Sequence, residues 1–201
     1  IEKYFVANKH NYILIDEIQE IADFEQALRS WIKQPSTDVV ATGSNAKMLS
    51  KDVATTLGGR FFIVDVYPYS FQEYLTAFGI TLAKGWEYST IQKSEVIRHF
   101  REYFYFGGLP EIGTFKSKRS MLSSLYQKIY LGDICTRNQI KNDKILNILI
   151  KKIAESVKQP LSFNRLRNIV VSTGSRITVP TTIDYVNHAA DSWLILPIEN
   201  E

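Results

Sequence analysis

Two neighbouring acids, Asp16 and Glu17, are the residues of this 201-residue chain that point most directly to chemistry. They follow the uninterrupted apolar run 12–15. Such a run is typical of a strand that is buried on both faces, as in a parallel sheet. Acids at its end lie at the carboxyl edge of the sheet, where ligands of α/β folds bind. The first carboxylate could hold Mg²⁺, and the second could accept a proton from a water that attacks a phosphate. A strand that ends in two acids by chance gives the same pattern.

Hydroxyl groups end the next apolar run. Residues 39–41 lead into Thr42, and Gly43, Ser44 and Asn45 follow. A hydroxyl at this edge could bond a phosphate or the attacking water. The alternative is a turn in which Ser44 or Asn45 caps a short helix.

One arginine, Arg60, follows two glycines and precedes the stretch 61–66, which is apolar except for Asp65. Its guanidinium could approach a phosphate and stabilise the charge of a transition state. A surface arginine in a tight turn explains the same residues equally well.

The elements around these residues predict an α/β first part and a mostly helical remainder. Strands and helices alternate through the first 66 residues, which favours a parallel sheet. The expected strands are 12–15, 38–42 and 61–66. The expected helices are 23–31, one from about 46, 70–78, 91–106, 116–139 and 143–156. Asp23 and Ser70 could cap the helices that begin there. We expect three parts: a partial α/β core over 1–78, a helical connector or lid over 79–140, and a winged-helix-like domain over 141–201.

The tail predicts a winged-helix-like domain. Ser162 and Thr178 can cap two helices that run to about 171 and 190, and residues 194–196 could follow as a strand. Charge supports a polyanionic partner, because residues 116–176 carry 13 basic and 3 acidic side chains. A solvated basic face is the competing explanation.

The ordered set of motifs resembles the bacterial and archaeal AAA-type P-loop ATPases that carry a second, uncharacterised domain after the ATPase core. The matching stretches are 14–19, 41–45, 59–60, 67–75, 107–111, 178–179 and 190–195, with a weaker match at 130–134. The resemblance implies a partial P-loop NTPase sheet followed by a helical, winged-helix-like C-terminal domain.

The same resemblance implies ATP and Mg²⁺ as cofactors. Asp16 would be the Walker B acid beside Mg²⁺, and Glu17 the catalytic glutamate. Thr42 and Ser44 are alternative sensor-1 residues, and Asn45 adjoins them in the nucleotide-binding segment. Arg60 would sense phosphate or act as an arginine finger, in cis or toward a neighbouring subunit.

One motif of the family is missing from these residues. A Walker A loop, G-x-x-x-x-G-K-[ST], should precede Walker B, but the 15 residues before Asp16 contain no glycine. The family's usual endonuclease-like C-terminal portion is missing as well. We therefore expect the middle of a longer protein: a truncated gene product, a trimmed polypeptide or a proteolytic core. The chain alone is expected to bind ATP weakly or not at all and not to hydrolyse it.

Two other function classes remain open. A nucleic-acid-binding module would use Arg165, Arg167 and Arg176 on phosphates, although the candidate recognition helix has no lysine or arginine. A protein-interaction or self-association module would use aromatics near the domain junction, which a buried core explains better.

The composition argues against a transmembrane helix, an intramolecular disulfide and a metal site. No uncharged apolar run approaches the roughly 18–20 residues that span a bilayer. A single cysteine, Cys135, favours a reducing, cytoplasmic setting. The histidines, His10, His99 and His188, have no metal-ligand spacing.

Overall fold

The structure is a computed structural model that describes residues 4–6, 8–43, 57–157 and 159–198. It divides into two units, one formed by Ile1–Ile63 with Ile129–Glu201 and the other by Val64–Lys128. Among the residues described, no helix has both the length and the apolar character that crossing a bilayer requires.

A two-stranded parallel sheet forms the N-terminal part. Strand β1 (Asn11–Ile15) pairs with β2 (Thr37–Ala41), in a register that sets Ile15 opposite Ala41. Helix α1 (Phe24–Ile32) connects them and buries Phe24 and Leu28. The two predicted strands and the connecting helix are thus confirmed. The expected Asp23 cap is wrong, because its side chain makes no capping hydrogen bond.

Only one face of this sheet is covered. Ile13 is buried, and Ile15 and Val39 pack against the cluster of Ile18, Phe24, Leu28 and Leu57. The opposite face exposes Tyr12, Leu14 and Val40. The prediction that this strand is buried on both faces is therefore wrong within the described residues.

The third predicted strand, 61–66, is not formed. Phe62 is 98% exposed, and Val64 and Val66 are exposed as well. An apolar, β-branched run identifies a segment suited to a strand, but a strand also needs a hydrogen-bonded neighbour. No described segment supplies one here. The short helix expected from about residue 46 lies outside the described residues.

The unit 64–128 is helical. Helices α2 (Phe71–Ala77), α3 (Thr90–Phe106) and α4 (Lys118–Gln127) are joined by the 3₁₀ turns Trp86–Tyr88 and Pro110–Gly113. A capping box begins α2: the Ser70 hydroxyl accepts from the Glu73 N–H at 3.3 Å, and the Glu73 carboxylate accepts from the Ser70 N–H at 2.8 Å. The Glu73 carboxylate accepts hydrogen bonds from the Ser70 N–H and from the Ser70 hydroxyl, and these bonds lower the pKa of Glu73.

Two of the sequence motifs meet in this unit. The Tyr69 N–H donates to the Gly108 carbonyl at 2.8 Å, and the Tyr103 hydroxyl donates to the Tyr69 carbonyl at 2.8 Å. A Cβ at Gly108 would lie 2.0 Å from the Tyr69 carbonyl oxygen, so glycine is required for this approach. Stretches 67–75 and 107–111 are thus joined through their backbones.

The helix expected over 116–139 changes type midway. Helix α4 ends at Gln127, and Lys128–Thr136 continues as a π-helix that contains Gly132. The Arg137 N–H then donates to the Gly132 carbonyl at 3.3 Å, five residues back. The ion pair of Arg137 with Asp133, at 3.4 Å, spans the same stretch.

Three helices complete the chain: α5 (Asp143–Glu155), α6 (Phe163–Ser172) and α7 (Val179–Asp191). They pack in two apolar clusters that share Tyr185, and Leu146 and Val170 are fully buried there. The predicted caps are confirmed, because the hydroxyls of Ser162 and Thr178 accept from N–H groups in the first turns of α6 and α7.

The expected final strand at 194–196 is not formed. The helical outline of the predicted tail is therefore present in the described residues, but its strand is not. A strand there would need a partner, and the described sheet contains β1 and β2 alone.

Candidate functional site

The candidate site lies where β1 and β2 end. Because Ile15 is opposite Ala41, the residues that follow, Asp16 and Thr42, are brought side by side. The Thr42 hydroxyl donates to Asp16 Oδ1. The Thr42 hydroxyl oxygen in turn accepts from the Glu17 N–H at 3.2 Å. One hydroxyl therefore bridges the two acids.

The turn after β1 is held in an unusual conformation. Glu17 has φ 50° and ψ 55°, in the left-handed region that residues other than glycine seldom adopt. Two neighbouring backbone bonds hold it: the Ile18 N–H donates to the Thr42 carbonyl at 2.9 Å, and the Thr42 N–H donates to the Ile15 carbonyl at 2.8 Å. Ile18 itself is fully buried and anchors the turn.

The two carboxylates have different surroundings. Asp16 is exposed, whereas Glu17 is half-buried. The Gln19 side-chain amide donates to Glu17 Oε2. Sequence reasoning assigned no role to Gln19, because a side chain two residues away on an irregular turn follows no periodic pattern. Its amide restricts where the Glu17 carboxylate can lie.

The oxygens at this edge suit Mg²⁺. Asp16 and Thr42 offer a carboxylate and a hydroxyl, which are hard donors. In the described part of the chain, no group of three or more His, Cys, Asp or Glu side chains could hold a metal ion. Mg²⁺ usually keeps several waters and takes one or two protein ligands plus substrate phosphates. The donor set therefore fits Mg²⁺ that arrives with a nucleotide.

The other predicted nucleotide-site residues are not joined to this cluster. Arg60 is exposed after Gly58 and Gly59, which both have positive φ. Within the residues described, its side chain forms no hydrogen bond or ion pair with Asp16, Glu17 or Thr42. Ser44 and Asn45 lie outside the described residues.

The three arginines predicted to contact nucleic acid lie on α6 and just before α7. Arg165 and Arg176 are exposed. Arg167 is half-buried and donates to Asn168 Oδ1 at 3.0 Å. Thr182 of α7, one of the polar residues of the candidate recognition helix, is fully buried and cannot face a ligand.

Residues 97–200, more than half of the chain, match the family described as a domain of unknown function (DUF8612). The chain belongs to the DUF8612 family. Residues 1–75, which include β1, α1 and β2, match the family described as an AAA domain. This match is compatible with a partial P-loop fold and indicates an AAA-type nucleotide-binding module joined to the DUF8612 domain.

Two curated relatives cover nearly the whole chain. An uncharacterized protein of Haemophilus influenzae is 32% identical over 99% of this chain and 46% of its own length. An uncharacterized protein of Methanocaldococcus jannaschii is 27% identical over 94% of this chain and 43% of its own length. The chain thus spans less than half the length of each. No solved structure matches it.

Proposed function

We propose that residues 11–42 carry the acidic half of an AAA-type site that hydrolyses ATP. The observation that supports this most is the pair of hydrogen bonds at Thr42. Its hydroxyl donates to the Asp16 carboxylate and accepts from the Glu17 N–H. That contact joins a possible Mg²⁺ ligand, a possible base and a phosphate-facing hydroxyl at one sheet edge.

The three residues have separate roles in the proposed reaction. Asp16 holds Mg²⁺, which when bound neutralises charge on the phosphates. Glu17 orients the attacking water and accepts its proton, and the Gln19 amide keeps the Glu17 carboxylate in place. Thr42 serves as the sensor-1 hydroxyl.

Phosphate affinity must come largely from outside this cluster. In P-loop NTPases the Walker A backbone and its lysine cradle the phosphates, and residues 1–15 contain no such sequence. We therefore expect the 201 residues alone to bind Mg-ATP weakly, as isothermal titration would measure. A specific ATPase rate of the isolated chain that Glu17→Gln abolishes would contradict this expectation.

The catalytic assignment is tested in the longest natural polypeptide that contains the chain. Glu17→Gln should lower ATP turnover by about 10²–10⁴-fold, because the base is lost while the shape is kept. Affinity for Mg-ATP should be retained. Glu20→Gln, an exposed acid on the same turn, is the matched control and should leave turnover unchanged. Equal turnover in the wild type and Glu17→Gln would refute the assignment.

A further inference from the structure

A groove of about 730 Å³ lies between the end of α3 and the side of α4. Helix α3 supplies Tyr105 and Phe106. Helix α4 supplies one continuous face, since its lining residues recur every three or four positions from Arg119 through Tyr126 to Gln127. The groove lies entirely within the unit 64–128.

Tyr105 offers an exposed ring at this groove. Its side chain is 75% exposed, and its ring meets Phe104 edge-on, with centroids 6.0 Å apart and planes at 81°. The neighbouring Phe106 ring differs, because the Lys118 ammonium lies 5.5 Å from its centroid. Of the two α3 rings that line the groove, Tyr105 is therefore the one on which a flat ligand could stack.

Charge at the groove is positive. None of the residues that the structure places around it is acidic, and Arg119 is exposed among them. Arg101 is also exposed and precedes Tyr105 by one helical turn, on the same side of α3. The nearby Glu102 is paired with Lys118, which lowers the pKa of Glu102 and offsets its charge.

We propose that this groove binds single-stranded nucleic acid, with a base stacked on Tyr105 and phosphates held by Arg101 and Arg119. Exposed aromatic rings beside basic side chains are the two features that non-specific single-strand binders combine. A duplex keeps its base faces stacked and cannot use Tyr105 in this way. An acidic peptide could use the arginines but would leave an exposed ring without a matching partner.

This assignment goes beyond the proposed ATPase activity and does not depend on it. It also differs from the winged-helix hypothesis, which placed nucleic-acid contacts at Arg165, Arg167 and Arg176 rather than in the unit 64–128. The two locations can therefore be separated by substitution.

The test is fluorescence anisotropy of a labelled oligothymidylate with the intact chain at several salt concentrations. Tyr105→Ala should weaken binding by about 5- to 100-fold, whereas Tyr105→Phe, which keeps the ring, should bind like the wild type. Arg119→Ala should weaken binding and reduce the slope of log affinity against log salt by about 0.7.

The matched controls are residues that do not line the groove. Tyr88→Ala removes a tyrosine that is at least as exposed, in the same unit, and Arg165→Ala removes an exposed arginine of α6. Both should bind like the wild type. Circular dichroism should show that Tyr105→Ala stays folded, since an exposed side chain contributes little to packing.

Several results would overturn the proposal. The intact chain could fail to bind the oligonucleotide, or Tyr105→Ala and Arg119→Ala could bind it with wild-type affinity. A loss of oligonucleotide binding confined to Arg165→Ala would move the site to the tail. Tighter binding of duplex than of single strand, or binding of an acidic peptide alone, would also overturn it. Glu17→Gln should leave oligonucleotide affinity unchanged, so failure of the ATPase assignment and failure of this one remain distinguishable.

Discussion

The two-stranded sheet and the three helices α5 to α7 differ in how far their apolar side chains are buried. The helices bury Leu146, Leu149 and Val170, which are at most 1% exposed. The sheet covers one face only and leaves Leu14 77% exposed on the other. Parallel strands are normally covered on both faces. Within the described residues, the helices therefore pack against one another, whereas one face of the sheet is left uncovered.

This difference separates stability from the candidate chemistry. The acids and hydroxyl of the proposed ATP site stand at the edge of the less covered element, and their geometry depends on few contacts, chiefly Ile18 and the hydrogen bonds of Thr42. Elements with few buried apolar contacts open locally more easily. The helices supply packing, and the sheet edge supplies functional groups.

The largest expected effect is a loss of stability when a buried side chain of the well-packed helices is shortened. Leu149→Ala should lower the free energy of unfolding by about 2–5 kcal/mol, because it removes a buried side chain and leaves a cavity. Leu14→Ala is the matched control on the exposed sheet face and should change it by less than about 0.5 kcal/mol. Urea unfolding followed by circular dichroism measures both. Equal losses would show that the exposed sheet face is covered in solution.

A second pair of substitutions tests whether the unit 64–128 is as sensitive to packing changes as the helices α5 to α7. Gly108→Ala should lower the free energy of unfolding by about 1–3 kcal/mol, because the new Cβ would meet the Tyr69 carbonyl oxygen. Gly132→Ala is the control. Its new Cβ would meet nothing within 4 Å, and alanine in a helical segment should raise stability by up to about 1 kcal/mol. Thermal unfolding compares the two, and a stable Gly108→Ala protein would argue against the observed backbone contact.

The smallest expected effect comes from ion pairs, one in the unit 64–128 and one at the sheet. Lys118 lowers the pKa of Glu102 in the unit 64–128. The stabilisation is therefore complete above the ordinary glutamate pKa of about 4.3 and is lost as the pH falls through the lowered pKa. Glu102→Gln should remove this part of the pH dependence, at most about 1 kcal/mol because the pair is partly exposed.

The sheet provides the control for that measurement. Asp38 pairs with His10 at 3.0 Å, but both side chains are well exposed. Asp38→Asn should have a smaller effect on stability near neutral pH than Glu102→Gln, because solvent screens the exposed pair. Urea unfolding between pH 3 and 7 measures both variants. A larger effect at Asp38 would reverse the expected order of the two regions.

Local features of the fold could be predicted from the sequence. The caps Ser70, Ser162 and Thr178 and the helices that they begin depend on residues close together in the chain, and short apolar runs mark the segments that form β1 and β2. Such signals act before any tertiary contact forms, so a single sequence contains them. The strands expected at 61–66 and 194–196 failed for the complementary reason, since pairing needs a neighbour that residue type does not specify.

The candidate site shows the same division. The order and spacing of the sequence determined that Asp16, Glu17 and Thr42 end apolar runs, which was enough to place them at one sheet edge. Only the tertiary structure decided that Thr42 bridges the two acids, that Gln19 bonds Glu17, and that Arg60 forms no hydrogen bond or ion pair with them within the described residues. Parallel pairing brings distant residues together in a particular register, and a shift of one residue would break the hydrogen bonds of Thr42 with Asp16 and Glu17.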